Sequence, residues 1–182
     1  MSRRMKIALP AHQIAVANSV ARWHSAAYQL KTASDLIIST TIYAIENINH
    51  QPQFIEHAFT TPSGLMLLGM SFENSVKALL LASGELFADS DGFDRKLLTH
   101  KMSAAISKVD STIFKPTEAE IEILKKLEEY VIWRGRYPSP LFSVSDFSYS
   151  ILIAEYRQMT QFWDRIRESL TLHLQSQQQA GA

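Results

Sequence analysis

The sequence contains no cysteine, which excludes disulfide bridges, thiolate metal sites and cysteine nucleophiles. Glycine is scarce, with 6 residues in 182, and neither a P-loop, a GxGxxG fingerprint nor a GxSxG nucleophile elbow is present. Net charge is also lacking, because 18 basic residues balance 18 acidic ones. The chain as a whole therefore carries no electrostatic footprint for nucleic acid, and any contact with RNA or DNA would come from a local patch.

Metal chemistry is not expected either. The chain has no Glu-x-x-His motif, and no two histidines have metal-ligand spacing on a predicted helix. No metal and no cofactor are therefore predicted.

The length and the hydrophobic content of 46% are typical of one globular domain, which we place at residues 1–182. The core is expected to span about 11–174, and the polar tail 175–182 is expected to be disordered. Pro10 interrupts the N-terminal apolar run, so a cleaved signal peptide is not favoured. A cytoplasmic protein without a membrane span is predicted.

Apolar residues recur at helical spacing along most of the chain, and no strand is predicted. The pattern at 11–47 fits one very long helix, or two helices that break near Ser34-Asp35. Residues 48–61 are interpreted as a loop. A short helix is expected at about 99–109, and the last helix at about 145–174.

Two helices have clear end signals. Thr61 is expected to cap a helix that has Pro62 at its first position and ends at Gly84. Thr117 and Glu120 form a capping box for a further helix that extends to Trp133. These elements predict an all-α fold, an up-and-down bundle of four to five helices.

The helix at 62–84 has almost no solvent face, yet it carries Glu73 and Lys77 near its middle. Charges inside an apolar helix require partners, which indicates a buried polar site. The alternative is an ordinary exposed i, i+4 pair that contributes about 0.3–0.5 kcal/mol.

Further candidate residues lie at two other places in the chain. His100 begins the short helix and is either a capping residue or an acid–base group. Arg134 continues an apolar line of its helix, and Arg136 and Tyr137 follow it directly. The arginines either stabilise the helix C-terminus or converge with Glu73 and Lys77 on an anionic ligand.

Taken in order, these motifs resemble one family. Glu73-x-x-x-Lys77 followed by a run of leucines, then a helix that begins at His100, then Arg136-Tyr137-Pro138, is similar to a HEPN domain (higher eukaryotes and prokaryotes nucleotide-binding). The resemblance covers roughly residues 15–174.

The resemblance implies a four- or five-helix bundle, frequent homodimers and a role in nucleotide or RNA biology. Many members are metal-independent ribonucleases, often toxins of toxin–antitoxin pairs with a nucleotidyltransferase-like partner. Those nucleases share an arginine followed four to six residues later by a histidine. Arg95 and His100, and Arg167 and His173, have such spacings here, but chance alone gives about one such pair in a chain of this composition.

The Arg-Tyr-Pro segment resembles the branch of the family that binds nucleotides without catalysis. The leading prediction is therefore a homodimeric bundle that binds a nucleotide, another phosphate-bearing ligand or a protein partner. The expected binding residues are Glu73, Lys77, His100, Arg134, Arg136 and Tyr137. Two alternatives stay open: a metal-independent ribonuclease, and a purely structural or interaction module.

Overall fold

The computed structural model describes residues 9–47, 52–94, 99–134 and 153–180. These residues are mainly helical, which confirms the predicted all-α class. In chain order the elements are α1 (Ala11–Ala17), α2 (Val20–Asn47), α3 (Pro52–Ala82), β1 (Ala88–Asp89), β2 (Gly92–Phe93), α4 (Met102–Ile106), α5 (Glu118–Glu129), a π-helical turn (Tyr130–Arg134) and α6 (Ile153–Ala180).

Helix α3 is the centre of the fold, because α2, α4, α5, the π-helical turn and α6 all pack against it. Between Ser71 and Leu81, Asn74 is the one residue that is not buried. Within the described residues, the segment Thr61–Ala82 is the one helix long and apolar enough to cross a membrane, and 72% of its apolar 18-residue window is buried inside the fold. The central helix of a globular core passes the same test of length and composition.

Helices α2 and α3 run antiparallel. The Thr61 hydroxyl near the middle of α3 donates to the Thr41 hydroxyl near the end of α2, at 3.4 Å. Further along α3, the Ser71 hydroxyl donates to the Ala27 carbonyl near the start of α2, at 2.7 Å. The two helices therefore share a long interface that places the start of α2 beside the end of α3.

Helices α5 and α6 are also antiparallel neighbours. Lys126 near the end of α5 donates to Glu155 at the start of α6, at 2.8 Å. Arg165, further along α6, forms an ion pair with Glu120 in the first turn of α5. These pairs lie at the edge of one continuous core, to which α2 through α6 all contribute.

The N-terminal helical region breaks at Asn18 and Ser19, so the predicted break near Ser34 is wrong. Ser34 lies in the continuous helix α2, where it is fully buried and its hydroxyl donates to the Gly64 carbonyl of α3 at 2.8 Å. The hydroxyl is thus satisfied by a neighbouring helix and has no need to cap a new one.

Asn18 breaks the helix because its side chain bonds to a distant segment. Its Oδ1 accepts hydrogen bonds from the backbone N–H groups of Phe87 and Ala88, at 2.8 and 3.0 Å. Its Nδ2 donates to the Ala88 carbonyl at 2.6 Å. This side chain therefore joins the turn between α1 and α2 to the first strand of a two-stranded antiparallel hairpin, which was not predicted.

The predicted start of α3 is also wrong, because the helix begins at Pro52 and passes through Pro62. The predicted loop at 48–61 is helical from residue 52 onward, and Thr61 is an interior residue of the helix. A proline inside a helix removes one backbone hydrogen bond and costs about 3 kcal/mol. The extended interface with the second half of α2 offsets that cost.

The predicted end of α3 is confirmed. Gly84 has a φ of +90°, and the backbone N–H of Glu85 donates to the Leu80 carbonyl at 3.0 Å. This is the pattern of a glycine-terminated helix, in which a residue with a left-handed conformation satisfies the last carbonyls.

The later elements agree with the sequence in part. Thr117 and Glu120 make both hydrogen bonds of the predicted capping box of α5. The end of that helix widens into the π-helical turn. Helix α6 continues to Ala180, so residues 175–180 are helical although the tail was expected to be disordered.

Gly69 lets α3 approach α5 closely. A Cβ atom at this position would lie 2.5 Å from Val131 Cγ2 and 3.0 Å from the Leu127 carbonyl oxygen. We expect Gly69→Ala to lower the free energy of unfolding by about 1–3 kcal/mol, because a tightly packed core must shift to accept the methyl group. Urea unfolding followed by circular dichroism measures this change.

Val131→Ala supplies the matched control for Gly69→Ala. The double variant should be less destabilised than the sum of the two single variants, since the truncated Val131 leaves room for the new methyl group. Additive effects would contradict the close approach at Gly69.

Candidate functional site

A carboxylate at the centre of α3 joins two predicted site residues. Glu73 Oε1 accepts a hydrogen bond from Lys77 Nζ at 2.5 Å, and Glu73 Oε2 lies 2.7 Å from His100 Nδ1. The side chains of Glu73 and Lys77 are each 10% exposed, whereas that of His100 is 53% exposed. We call Glu73, Lys77 and His100 the Glu73 cluster. The interpretation of Glu73 and Lys77 as an ordinary surface pair is therefore wrong.

The buried ammonium of Lys77 has a second partner. Its Nζ lies 5.1 Å from the centroid of the Trp23 ring, within the range of a cation–π interaction. A buried ion pair is stable only when both charges are well paired and further hydrogen bonds complete them. Glu73, Trp23 and His100 together meet that condition.

Helix α4 positions His100. Met102 and Ile106, one turn apart, are both buried in the core and fix the short helix. The Glu128 carboxylate of α5 accepts a hydrogen bond from the Ser103 backbone N–H at 2.6 Å and thereby caps the N-terminal turn of α4. His100 precedes this turn, so its imidazole is aimed at Glu73 by a segment that packs against both α3 and α5.

The start of α2 positions Trp23. The indole N–H donates to the Ala17 carbonyl at 2.9 Å, and the ring packs edge-on against Phe87 with centroids 5.6 Å apart. Both contacts depend on the turn at Asn18, because Ala17 precedes that residue and the Phe87 N–H bonds to its side chain. Sequence reasoning missed Trp23, since only the folded chain brings it to Lys77.

An open groove of about 460 Å³ lies beside Trp23, between α1, the start of α2 and strand β2. We call it the Trp23 groove. Its apolar surface comes mainly from Val16, Trp23, Ala26 and Phe93, and its ionisable lining residues are Arg22 and His12. Trp23 therefore belongs both to the groove and to the surroundings of the Glu73 cluster.

The remaining predicted binding residues lie outside the described part of the chain, either entirely or by their side chains. Arg134 belongs to the π-helical turn by its backbone, and its side chain lies outside the described part of the chain. Arg136 and Tyr137, like Arg95, also lie outside the described residues. Their convergence with the Glu73 cluster stays a prediction.

The second predicted arginine–histidine pair lies on α6. Arg167 forms an ion pair with Asp164 at 3.2 Å, and its guanidinium lies 5.8 Å from the centroid of the Trp163 ring. His173 Nε2 lies 2.9 Å from the Gln177 side-chain amide. Six residues along a helix separate two side chains by about 240° of rotation, so the two residues point in different directions.

A second buried lysine, which sequence reasoning did not single out, lies between α2 and α6. Lys31 is 5% exposed and donates to both oxygens of Asp35 at 2.6 and 2.7 Å. Its ammonium also lies 5.6 Å from the Trp163 ring centroid. Tyr156 donates to Asp35, and burial followed by this contact raises the pKa of the Tyr156 hydroxyl well above its ordinary value. These contacts join Lys31 and Asp35 of α2 to Tyr156 and Trp163 of α6, and so they hold α6 against α2.

His24 lies on the same side of the fold. Its Nδ1 atom is buried and has no hydrogen-bond partner within the described residues. Burial lowers the pKa of His24, and the nearby charge of Arg167 lowers it further, so the neutral imidazole is favoured.

Within the described ranges, no group of three or more histidine, aspartate or glutamate side chains could hold a metal ion. A comparison of the chain with protein-family models, with curated proteins and with solved structures finds no match. The chemistry of the Glu73 cluster must therefore be inferred from its own geometry.

Because Glu73 and Lys77 are buried together, we expect a variant that lacks one charge to be much less stable than a variant that lacks both. Glu73→Gln should lower the free energy of unfolding by about 3–5 kcal/mol, because it leaves the Lys77 charge buried without a counter-ion. Glu73→Met combined with Lys77→Met should recover most of that loss, since two well-packed apolar side chains replace the pair. Chemical denaturation of the three proteins measures the difference.

The exposed pair of Lys125 and Glu122 provides the control. Lys125→Met should change the free energy of unfolding by less than about 1 kcal/mol, as for other surface ion pairs. A double variant as unstable as Glu73→Gln would contradict the pairing of Glu73 with Lys77.

His24 predicts a loss of stability in acid. Its pKa in the folded state lies below the ordinary value of 6.5, so below that pH the unfolded chain binds a proton that the folded chain resists. The free energy of unfolding should therefore fall as the pH drops through and below 6.5. His24→Gln should weaken this fall, measured by urea unfolding at several pH values. An equal fall in both proteins would contradict the buried, neutral state of His24.

Proposed function

We propose that this chain is a HEPN-like up-and-down helical bundle that binds a nucleotide or another phosphate-bearing ligand at the Glu73 cluster, without catalysis of its own. The antiparallel pairing of α2 with α3 and of α5 with α6 supports the bundle architecture. The proposal includes a homodimer and a nucleotidyltransferase-like protein partner, which follow from the family resemblance, and a cytoplasmic location, which follows from the sequence pattern of the N-terminus and of the helix at 62–84.

The observation that carries the proposal is the meeting of Lys77 and His100 on one carboxylate. The two residues are 23 positions apart and come from different elements, yet Glu73 holds both within hydrogen-bond distance. A core gains little stability from a buried ion pair compared with apolar residues of the same volume. A buried lysine that is connected to a half-exposed histidine therefore supports the proposal of a binding site.

The geometry indicates how an anionic ligand would approach. The ammonium of Lys77 has three N–H donors, of which Glu73 Oε1 takes one. The imidazole of His100 is fixed by Glu73 through Nδ1, so Nε2 lies on the opposite edge of the ring. A phosphate group would reach the cluster from the exposed side of His100, and the buried ammonium of Lys77 would add positive charge on the inner side of the cluster.

A second candidate function rests on the contact between Glu73 and His100. A carboxylate at 2.7 Å from Nδ1 orients the imidazole and leaves Nε2 for proton transfer. A metal-independent ribonuclease could use His100 in this way to activate the 2′-hydroxyl of RNA. This alternative requires a second group at the phosphate, for which the arginine–histidine pattern of the family offers Arg95.

Ligand binding should depend on Lys77. A thermal-shift scan against nucleotides, cyclic nucleotides, dinucleotides and short RNAs should reveal a ligand that raises the Tm. At a concentration of 100 times Kd, such a ligand stabilises the protein by about 2.7 kcal/mol, or roughly 5–10 °C. Lys77→Met should abolish this rise because it removes the buried cation.

The exposed Lys125→Met variant controls for the general loss of a positive charge and should keep the full rise in Tm. Where Lys77→Met is too unstable to assay, Glu73→Met combined with Lys77→Met takes its place. Binding of unchanged strength in these variants would place the site elsewhere.

An RNA cleavage assay on the native protein and on His100→Ala separates the two candidate functions. Cleavage of RNA in EDTA that is lost in His100→Ala would favour the ribonuclease. Binding without cleavage supports the proposed function.

A further inference from the structure

We propose that the ligand of this site is a nucleotide whose base occupies the Trp23 groove, while its phosphate lies toward Lys77 and His100. This inference rests on the proposed function and adds to it the part of the ligand that gives selectivity. It is carried by the shape, the lining and the charge of the groove.

The size and the lining of the groove suit a planar aromatic ring. Its volume of about 460 Å³ lies within the range of small-ligand sites, which bury most of their ligand against apolar side chains. Two of its lining residues, Trp23 and Phe93, are aromatic and come from different elements. Stacking of a base on an aromatic side chain is favourable for any base, because every base has a π-face.

The charge of the groove selects an anionic ligand over a neutral apolar one. Among the residues that the structure describes, its ionisable lining residues are Arg22 and His12, and neither aspartate nor glutamate lines it. Arg22 is exposed, so its guanidinium is free to move toward a phosphate or a ribose hydroxyl. An apolar cleft with a basic rim matches a molecule that has a flat ring at one end and a phosphate at the other.

Trp23 links the groove to the Glu73 cluster. Its ring lines the groove, and the same ring lies 5.1 Å from Lys77 Nζ. The hydrogen bond from its indole N–H to Ala17 holds the ring in place, so the platform exists before a ligand arrives. A base stacked on Trp23 would therefore lie against the same ring that contacts Lys77, and its phosphate would extend from the groove toward His100, the half-exposed member of the Glu73 cluster.

The test compares four probes on the full chain: adenosine monophosphate, adenosine, ribose 5-phosphate and inorganic phosphate. Binding is followed by thermal shift and by the indole N–H signal of Trp23 in a two-dimensional NMR spectrum. We expect adenosine monophosphate to bind about tenfold or more tightly than ribose 5-phosphate, because only the former stacks on Trp23. The Trp23 signal should move on binding.

Val16→Asp tests the groove without disturbing the core. Val16 is 52% exposed, and a carboxylate at this position would repel a phosphate-bearing ligand from the groove. The variant should weaken adenosine monophosphate by about tenfold while leaving inorganic phosphate less affected. Leu36→Asp makes the same change at a residue of α2 that is 68% exposed and does not line the groove, so it should bind normally.

The outcomes distinguish the two proposals. Equal affinity for adenosine monophosphate and ribose 5-phosphate, together with normal binding by Val16→Asp and loss in Lys77→Met, would overturn the groove and keep the phosphate site. Adenosine that binds as tightly as its monophosphate would keep the groove and overturn the phosphate site. No binding of any probe would overturn the groove proposal, and the thermal-shift scan against cyclic nucleotides, dinucleotides and short RNAs would then decide on the phosphate site.

Discussion

The enclosure of α3 is the constraint on which the rest of the structure depends. From Ser71 to Leu81, where Asn74 alone is not buried, each buried polar side chain of α3 needs a partner within the protein, because water does not reach it. Ser71 accomplishes this by donating to Ala27 of α2 and accepting from the Trp163 indole of α6 at 2.8 Å. Glu73 does the same through His100, which precedes α4. The few polar residues of α3 therefore fix the positions of its neighbours, while the leucines around them supply most of the buried area.

The parts of the fold that were predictable from sequence depend on residues close together in the chain. The capping box at Thr117 and the stop at Gly84 each involve a few consecutive positions, so their physics is complete in the local sequence. Pro62 was misleading because a proline at the first position of a helix and one inside a helix have the same neighbours in sequence. Only the packing of α3 against the whole of α2 decides between them. The prediction of a helix break near Ser34 was wrong for the same reason, since the Ser34 hydroxyl bonds to another helix.

The candidate site, too, could be predicted from the sequence only where its residues lie close together in the chain. An ion pair at i, i+4 on an apolar helix already required burial and a partner, so Glu73 and Lys77 were predictable as a polar site. The role of Trp23 was not, because its contact with Lys77 joins residues that are far apart in the chain. Lys31 and Asp35 have the same spacing as the predicted pair. They lie on a helix with a polar face, where an ion pair at this spacing is normally exposed and indicates no site. The aromatic ring of Trp163, which covers Lys31, belongs to α6 and is distant in sequence.

The side chain of Asn18 has a consequence for the order in which the chain assembles. Its three hydrogen bonds reach residues 69 and 70 positions away, and so they form only after the intervening helices have come together. Helix α1 has seven residues, too few to be stable alone in water, so the hydrogen bonds of Asn18 at its C-terminal end are needed to stabilise it. The N-terminal wall of the Trp23 groove therefore forms only after α2 and α3 have come together. Since Ala17 is the one buried residue of α1, this wall can open locally while the core of α3 stays intact.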